Sequence, residues 1–135
     1  MPQENCIFCS IAAGRAPVRM VYETAELMCF FPRRPNLLAH TLIVTKDHYA
    51  DVRDCPAPLG AALFDAAQRL AQQYASTLGS TGFNLLNASG VDAEQSVQHV
   101  HFHFFPRFPN DAFSTWPSLP PFETDLDALL ERLRF

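Results

Sequence analysis

Gln98-His99-Val100-His101-Phe102-His103-Phe104-Phe105 is the stretch on which the fold and the chemistry turn. Three of the chain's 5 histidines alternate here with apolar residues. Side chains of a strand switch faces at every residue, so an extended segment 97–105, bounded by Pro106, sets His99, His101 and His103 on one face. Val100, Phe102 and Phe104 then point into a core. A lone histidine on such a strand is ordinarily a ring facing solvent. Three in register are different, because stacked imidazoles repel when protonated near neutral pH and point to metal ligation or to proton and phosphoryl chemistry. Zinc takes nitrogens at about 2.0–2.1 Å, whereas strand residues two apart have Cα atoms roughly 6–7 Å apart, so all three on one ion is strained. An anion is the easier ligand. Asn87, Ser89, Gln95 and Ser96 flank a turn just upstream and bring uncharged donors to the same face. With a phosphate held this way, one imidazole is left to attack phosphorus.

Outward from that strand, the pattern predicts a short helix over 6–13, stopped by Gly14, a hairpin of 19–22 and 27–31, and a strand over 41–45. Leu59, Leu63, Ala66, Leu70 and Tyr74 recur at spacings of three and four between Pro56 and Gly79, which marks the longest helix. A strand over 83–86 ends in the turn 87–90, and a last helix, N-capped by Thr124 with Asp127 at N3, carries Leu126, Leu129, Leu130 and Leu133. Strands in the middle with helices before, between and after them give an α+β class. The expected architecture is a mostly antiparallel five-stranded sheet with one long helix and short terminal helices.

The 135 residues suit one domain over 1–135, with a C-terminal arm and helix from about 107. With 48% apolar and 18% charged residues and 12 Phe, the chain can bury a core and is neither disordered nor a disulfide miniprotein. Four cysteines and an N-terminus without a signal-peptide pattern predict a reducing, cytoplasmic setting. No run of roughly 18 apolar residues occurs, which argues against a membrane span. A net charge of -4, with arginines scattered, argues against a nucleic-acid polymer but not against a phosphorylated small molecule.

The heptad His99-Val100-His101-Phe102-His103-Phe104-Phe105 resembles the signature of the histidine triad (HIT) family. Cys6-Ile7-Phe8-Cys9, Leu27-Met28-Cys29-Phe30, His40-Thr41-Leu42-Ile43-Val44 with Lys46 and His48, Asn87-Ala88-Ser89-Gly90, Gln95-Ser96-Val97, Pro106-Arg107 and Trp116-Pro117 are similar to its other blocks, in order, over about residues 5–120. The resemblance implies the family's fold and a nucleotide hydrolase or nucleotidyl transferase acting at the α-phosphorus through a covalent nucleotidyl-histidine. Its substrates would be nucleoside phosphoramidates or dinucleoside polyphosphates.

By position, His101 is then the nucleophile, and His103, with Gln95 and Ser96, binds nonbridging oxygens. Ser96 helps protonate the leaving group, His40 buttresses the triad, and Asn87 lies near phosphate and ribose. Both His40 and Asn87 also admit a purely structural role. Ile7, Phe8, Ile11 and Phe30 match the family's base pocket, or are simply core. The same resemblance implies a closed, structural zinc site of Cys6, Cys9, His48 and His99, whereas Cys6-x-x-Cys9 by itself is more often a core pair. A homodimer is implied as well. The chain departs from the family in three places: Pro32, followed by Arg33 and Arg34, where an Asp or Asn usually holds the ribose, Glu94 for a glycine, and Ala39 for a glycine. The alternative is a catalytically weak, zinc-stapled nucleotide-binding or interaction protein of the same fold.

Overall fold

In a computed structural model describing residues 2–135, the element order is α1 (Ile7–Ala12), β1 (Arg19–Glu23), β2 (Leu27–Phe31), β3 (Thr41–Thr45), α2 (Ala57–Leu78), β4 (Gly82–Leu86), a 3₁₀ turn (Val91–Ala93), β5 (His101–Arg107) and α3 (Leu126–Leu133). The five strands form one sheet in the order β1-β2-β3-β5-β4, every neighbouring pair antiparallel. This is the architecture the sequence predicts.

β2 and β3 are continuous apolar runs because both of their faces are covered. On one face lies α2, whose Leu63, Ala66, Ala67, Leu70 and Tyr74 pack on Leu27, Cys29, Ile43 and Phe104. The small pair Ala66 and Ala67 lets this helix approach the sheet closely. Buried Tyr74 meets its polar obligation by sharing a hydrogen bond of 2.7 Å with Thr41 Oγ1. α2 ends where Gly79 takes the left-handed conformation (φ 77°) that a side chain disfavours. On the opposite face, α1 presses Phe8 and Cys9, with Cys6 beside them, onto Met28, Phe30, Leu42 and Val44. β2 therefore alternates its side chains between two cores, Leu27 and Cys29 facing α2 and Met28 and Phe30 facing α1.

β5 differs from the expected 97–105 at both ends. Its start is delayed to His101 because His99 N–H closes a tight turn on Val97 O (2.8 Å) and Val100 N–H donates to Tyr49 O (2.7 Å), outside the β3 ladder. His99 thus stands before the strand, not on it. At the far end the strand runs through Pro106, which lies opposite Phe83 of β4 and beyond Phe104, the last residue matched to β3. A proline is tolerated there because β3 has already ended. The last helix also begins one residue later than expected: its N-cap is Asp125, whose Oδ1 accepts from Ala128 N–H, not Thr124. Its apolar stripe faces outward, with Leu126, Leu130 and Leu133 at least half exposed.

The two glycine positions taken by other residues are both conformational. Ala39 and Glu94 hold φ of 59° and 64°, in the left-handed region. Glu94 is exposed and its neighbour Gln95 is buried, so the new carboxylate sits at the surface.

Candidate active site and metal centre

All 5 histidines of the chain gather on the α1 side of the sheet, in a row that begins at a pair of cysteines and ends at a pair of phenylalanines. Hydrogen bonds fix which nitrogen of His40, His99, His101 and His103 carries the proton.

His101 is buried, with its Nδ1 2.8 Å from the carbonyl oxygen of His99. A carbonyl only accepts, so Nδ1 bears the hydrogen and Nε2 keeps its lone pair. Burial holds this imidazole below its ordinary pKa and therefore neutral at pH 7, against a smaller opposite effect of that carbonyl. The next ring along, His103, has the reverse arrangement. His40 Nδ1 accepts from the backbone N–H of Asn36 (3.1 Å), which puts the hydrogen of neutral His40 on Nε2. That Nε2 donates to His103 Nδ1 at 2.9 Å, so His103 carries its own hydrogen on Nε2. Burial, reinforced by the neighbouring His103, lowers the His40 pKa to about 4, and burial lowers that of His103 too. Side by side, with ring centroids 5.2 Å apart, stand one imidazole with a free lone pair and one with a free N–H. The first is a nucleophile; the second is a donor for an anionic oxygen.

His99 has a different environment. Its Nε2 donates to Thr45 O at 2.7 Å, leaving the Nδ1 lone pair directed at Cys6 Sγ (3.4 Å) and Cys9 Sγ (3.7 Å). His48 Nδ1 lies 3.4 Å from Cys9 Sγ, and the four ligand atoms are within 4.8 Å of one another. Tetrahedral bonds of about 2.0–2.3 Å put ligand atoms roughly 3.3–3.8 Å apart; the three Cys–His pairs at 3.4–3.7 Å lie in that range, and small side-chain rotations at the wider pairs, none beyond 4.8 Å, bring this Cys₂His₂ set onto a zinc ion. Burial raises the Cys6 thiol and lowers the His99 pKa to about 4, and a dication reverses the first effect by stabilising the thiolate. All four cysteines of the chain are free thiols, with Cys29 in the core and Cys55 in a loop.

Asn87 is exposed, donates to His101 O (2.9 Å) and accepts from Ser89 Oγ (2.7 Å), which ties the turn after β4 to the backbone of His101. Gln95, expected to contact phosphate, is turned inward instead. Its two N–H groups go to Ala50 O and Val97 O and its oxygen accepts from Gly90 N–H, because the loop before the histidines has backbone groups that water cannot reach. Its work is to hold that loop against residues 49–52, with Ser89 Oγ accepting from Val52 N–H beside it. Ser96 is exposed next to it. Phe8 and Phe30 are buried edge to face, and Phe8 also meets the rings of His99 and His101 at 5.6 and 5.2 Å. They form a floor beside His101, while Ile7 (exposed) and Ile11 (half-buried) are the members of that set with surface to offer.

Several contributors escape sequence reading: the carbonyls of His99 and Thr45 and the N–H of Asn36, which every residue type possesses, and the rings of Phe105 and Phe113. Phe105 was legible only as an apolar position of the heptad.

A five-stranded antiparallel sheet carrying neutral histidines of opposed tautomer next to a Cys₂His₂ cluster defines a class of site, and the comparisons give it its family. The model of the HIT domain matches residues 13–110, and the chain belongs to the HIT family. The chain is 36% identical over 105 residues to Protein hit of Bacillus subtilis, covering 78% of this chain and 72% of that one. It is 31% identical over 132 residues to adenosine 5'-monophosphoramidase hnt1 of Schizosaccharomyces pombe, covering 96% of each. Among solved structures, a Zn-bound histidine triad family protein from Mycobacterium smegmatis superposes with a TM-score of 0.78 at 33% identity, over 82% of this chain and 81% of that one. Among the described residues, no helix is long and apolar enough to cross a membrane.

Proposed function

We propose that the protein hydrolyses nucleotides at the α-phosphorus, nucleoside phosphoramidates foremost, through a nucleotidyl adduct on His101. The observation that carries this reading is the opposed protonation of His101 and His103. Nε2 of His101 forms a bond to phosphorus as the bond from phosphorus to the leaving amine breaks. The departing nitrogen takes a proton relayed from solvent by the Ser96 hydroxyl, and His103 Nε2–H donates to a nonbridging oxygen. Water then attacks phosphorus, the phosphorus–nitrogen bond to His101 breaks, the proton of the water passes to solvent, and a neutral imidazole is restored. His40 keeps His103 in its donor tautomer, and Asn87 and Gln95 hold the backbone on which His101 rides. The fully named phosphoramidase relative supports the substrate class.

In the same reading Cys6, Cys9, His48 and His99 hold a structural zinc that fastens α1 to the start of β5, in the reducing cytoplasm that keeps these thiols free. The zinc-bound family structure supports this. Pro32 gives the β2–β3 loop no side-chain group for a ribose, and the exposed Arg33 and Arg34 beside it favour an anionic substrate. The chain works as a homodimer, a reading supported by half-exposed Phe83 on edge strand β4 and by Phe64, 68% exposed on α2. Light scattering at micromolar concentration checks this and returns twice the chain mass.

The test of the activity is steady-state hydrolysis of a fluorogenic adenosine 5'-phosphoramidate by the native protein and by His101→Asn. Turnover lost in the variant supports the reading. A folded, zinc-loaded native protein that binds AMP without turnover sinks it in favour of a binding protein.

A further inference from the structure

The basic groups of the chain are unevenly spent. Of its 10 Lys and Arg residues, Lys46, Arg53, Arg69, Arg107 and Arg134 each pair with a carboxylate, those of Glu23, Asp51, Asp65, Asp111 and Glu131. Arg15, Arg19, Arg33 and Arg34 are exposed and, among the described residues, meet no carboxylate. The fold brings these four to one end of the sheet. Arg19 opens β1 opposite Phe31, the last residue of β2; Arg33 and Arg34 follow β2, and Arg15 follows α1. Neither 14–22 nor 27–39 contains an acidic residue. On a chain of net charge -4, this end is a local positive field against an acidic background.

The β2–β3 loop that carries two of the four borders the candidate active site from both sides. It leaves β2 just past Phe30, which packs edge to face on Phe8 beside His101, and Arg33 stands three residues further on, roughly 10 Å of extended chain. It returns through Asn36, two residues after Arg34, whose N–H donates to His40 Nδ1. Pro32 and Pro35 enclose the two arginines. Each proline fixes its own φ and Pro35 keeps Arg34 out of the helical region, so a stiff segment presents the pair. A guanidinium matches phosphate oxygens with parallel N–H groups, and these two have no such partner in the protein.

In a nucleotide the ribose lies between the base and the α-phosphate. With phosphorus at His101 and the base on the Phe8–Phe30 floor, the 2' and 3' oxygens come to the loop that joins that floor to His40. A carboxylate there would accept from ribose hydroxyls and repel an anion attached in their place; Pro32 does neither, and the two charges that follow it attract one. Resting on the nucleotidyl-transfer reading above, we propose that the preferred substrates are nucleotides whose ribose carries a phosphate on its 2' or 3' oxygen, bound by Arg33 and Arg34. Arg15 and Arg19 raise the local anion concentration without touching it. The second phosphate takes no part in bond making and acts on affinity.

The experiment titrates the zinc-loaded full chain with AMP, adenosine 3',5'-bisphosphate and adenosine 2',5'-bisphosphate by calorimetry, and compares kcat/KM for adenosine 5'-phosphoramidate with and without the favoured ribose phosphate. One bisphosphate binds roughly tenfold more tightly than AMP, which identifies the oxygen, and the same preference appears in kcat/KM through KM. Arg33→Gln and Arg34→Gln each lower the ratio, the double variant brings it to about one, Pro32→Asp drives it below one, and added salt shrinks it. Because a ratio is read, a general loss of activity in a poorly folded variant does not mimic the result. A native ratio of about one for both bisphosphates, or a preference that survives the double variant, overturns the proposal, while turnover of the unsubstituted phosphoramidate leaves the nucleotidyl-transfer reading intact. Absence of turnover of every phosphoramidate by folded native protein overturns that reading and the proposal with it.

Discussion

At one end of the histidine row, His99 spends both ring nitrogens on the protein, one on the Thr45 carbonyl and one toward the cysteine pair. At the other, His103 receives a hydrogen bond from His40 and keeps an N–H for something outside. The two residues are four apart, on the same segment, with the same side chain. What separates them is backbone geometry: a tight turn at 97–99 keeps His99 off the strand and drops its ring between α1 and β3, while β5 lifts His103 toward an open face. Identical residues become a candidate metal ligand and a free donor according to which carbonyl or N–H lies within reach. His101, between them, belongs to both: its ring rests on the His99 carbonyl and its neighbour is His103.

The largest effect separates the ends outright. His101→Asn removes the attacking nitrogen and lowers kcat by about a thousandfold or more, with zinc content and thermal midpoint close to native. Metal analysis alongside single-turnover kinetics checks both halves, and loss of zinc in this variant would merge the two ends into one unit.

Damage to the closed end works through stability instead. Cys9→Ser, or chelation of the native protein, lowers the thermal midpoint by on the order of 10 °C, because a four-ligand site that forms only in the folded state contributes directly to folding. Differential scanning calorimetry with and without chelator measures it, and an unchanged midpoint would remove the staple.

A pH titration sharpens the comparison at the open end. His40 titrates near 6.5 in an unfolded chain and at about 4 here, chiefly through burial and secondarily through His103. Between those values the unfolded state binds more protons, so the contribution is full above pH 6.5 and is lost as pH falls toward 4. It amounts to up to about 3 kcal/mol. Urea midpoints at about pH 7 and about pH 4.5 differ less in His40→Asn than in the native protein if this is right.

The smallest effect is conformational. Ala39, at φ 59°, holds the turn that presents His40, and Ala39→Gly stabilises the fold by roughly 0.5–1 kcal/mol without altering kcat. Equilibrium denaturation detects it, and a destabilised glycine variant would show that the turn is not strained.

The sheet was legible because apolar alternation and punctuation do not depend on distant partners: β2 and β3 have the predicted bounds, and the long helix follows from Leu63, Ala66, Leu70 and Tyr74. The clustering of Cys6, Cys9, His48 and His99 was legible through the family the chain resembles, and the row of His99, His101 and His103 through their alternation. Three things were not. The strand's late start depends on a hydrogen bond between Val100 and Tyr49, far apart in sequence. Gln95 faces inward because of carbonyls in another loop. The tautomers depend on main-chain atoms that no residue name reveals, and in the proposed mechanism they decide which histidine attacks and which donates.

That decision is the centre of the account, and ¹⁵N-imidazole NMR of the zinc-loaded native protein at about pH 7 tests it most directly. The predicted result is neutral His101 protonated on Nδ1 and neutral His103 protonated on Nε2. Both rings in the same tautomer, or His101 protonated on Nε2, would contradict it.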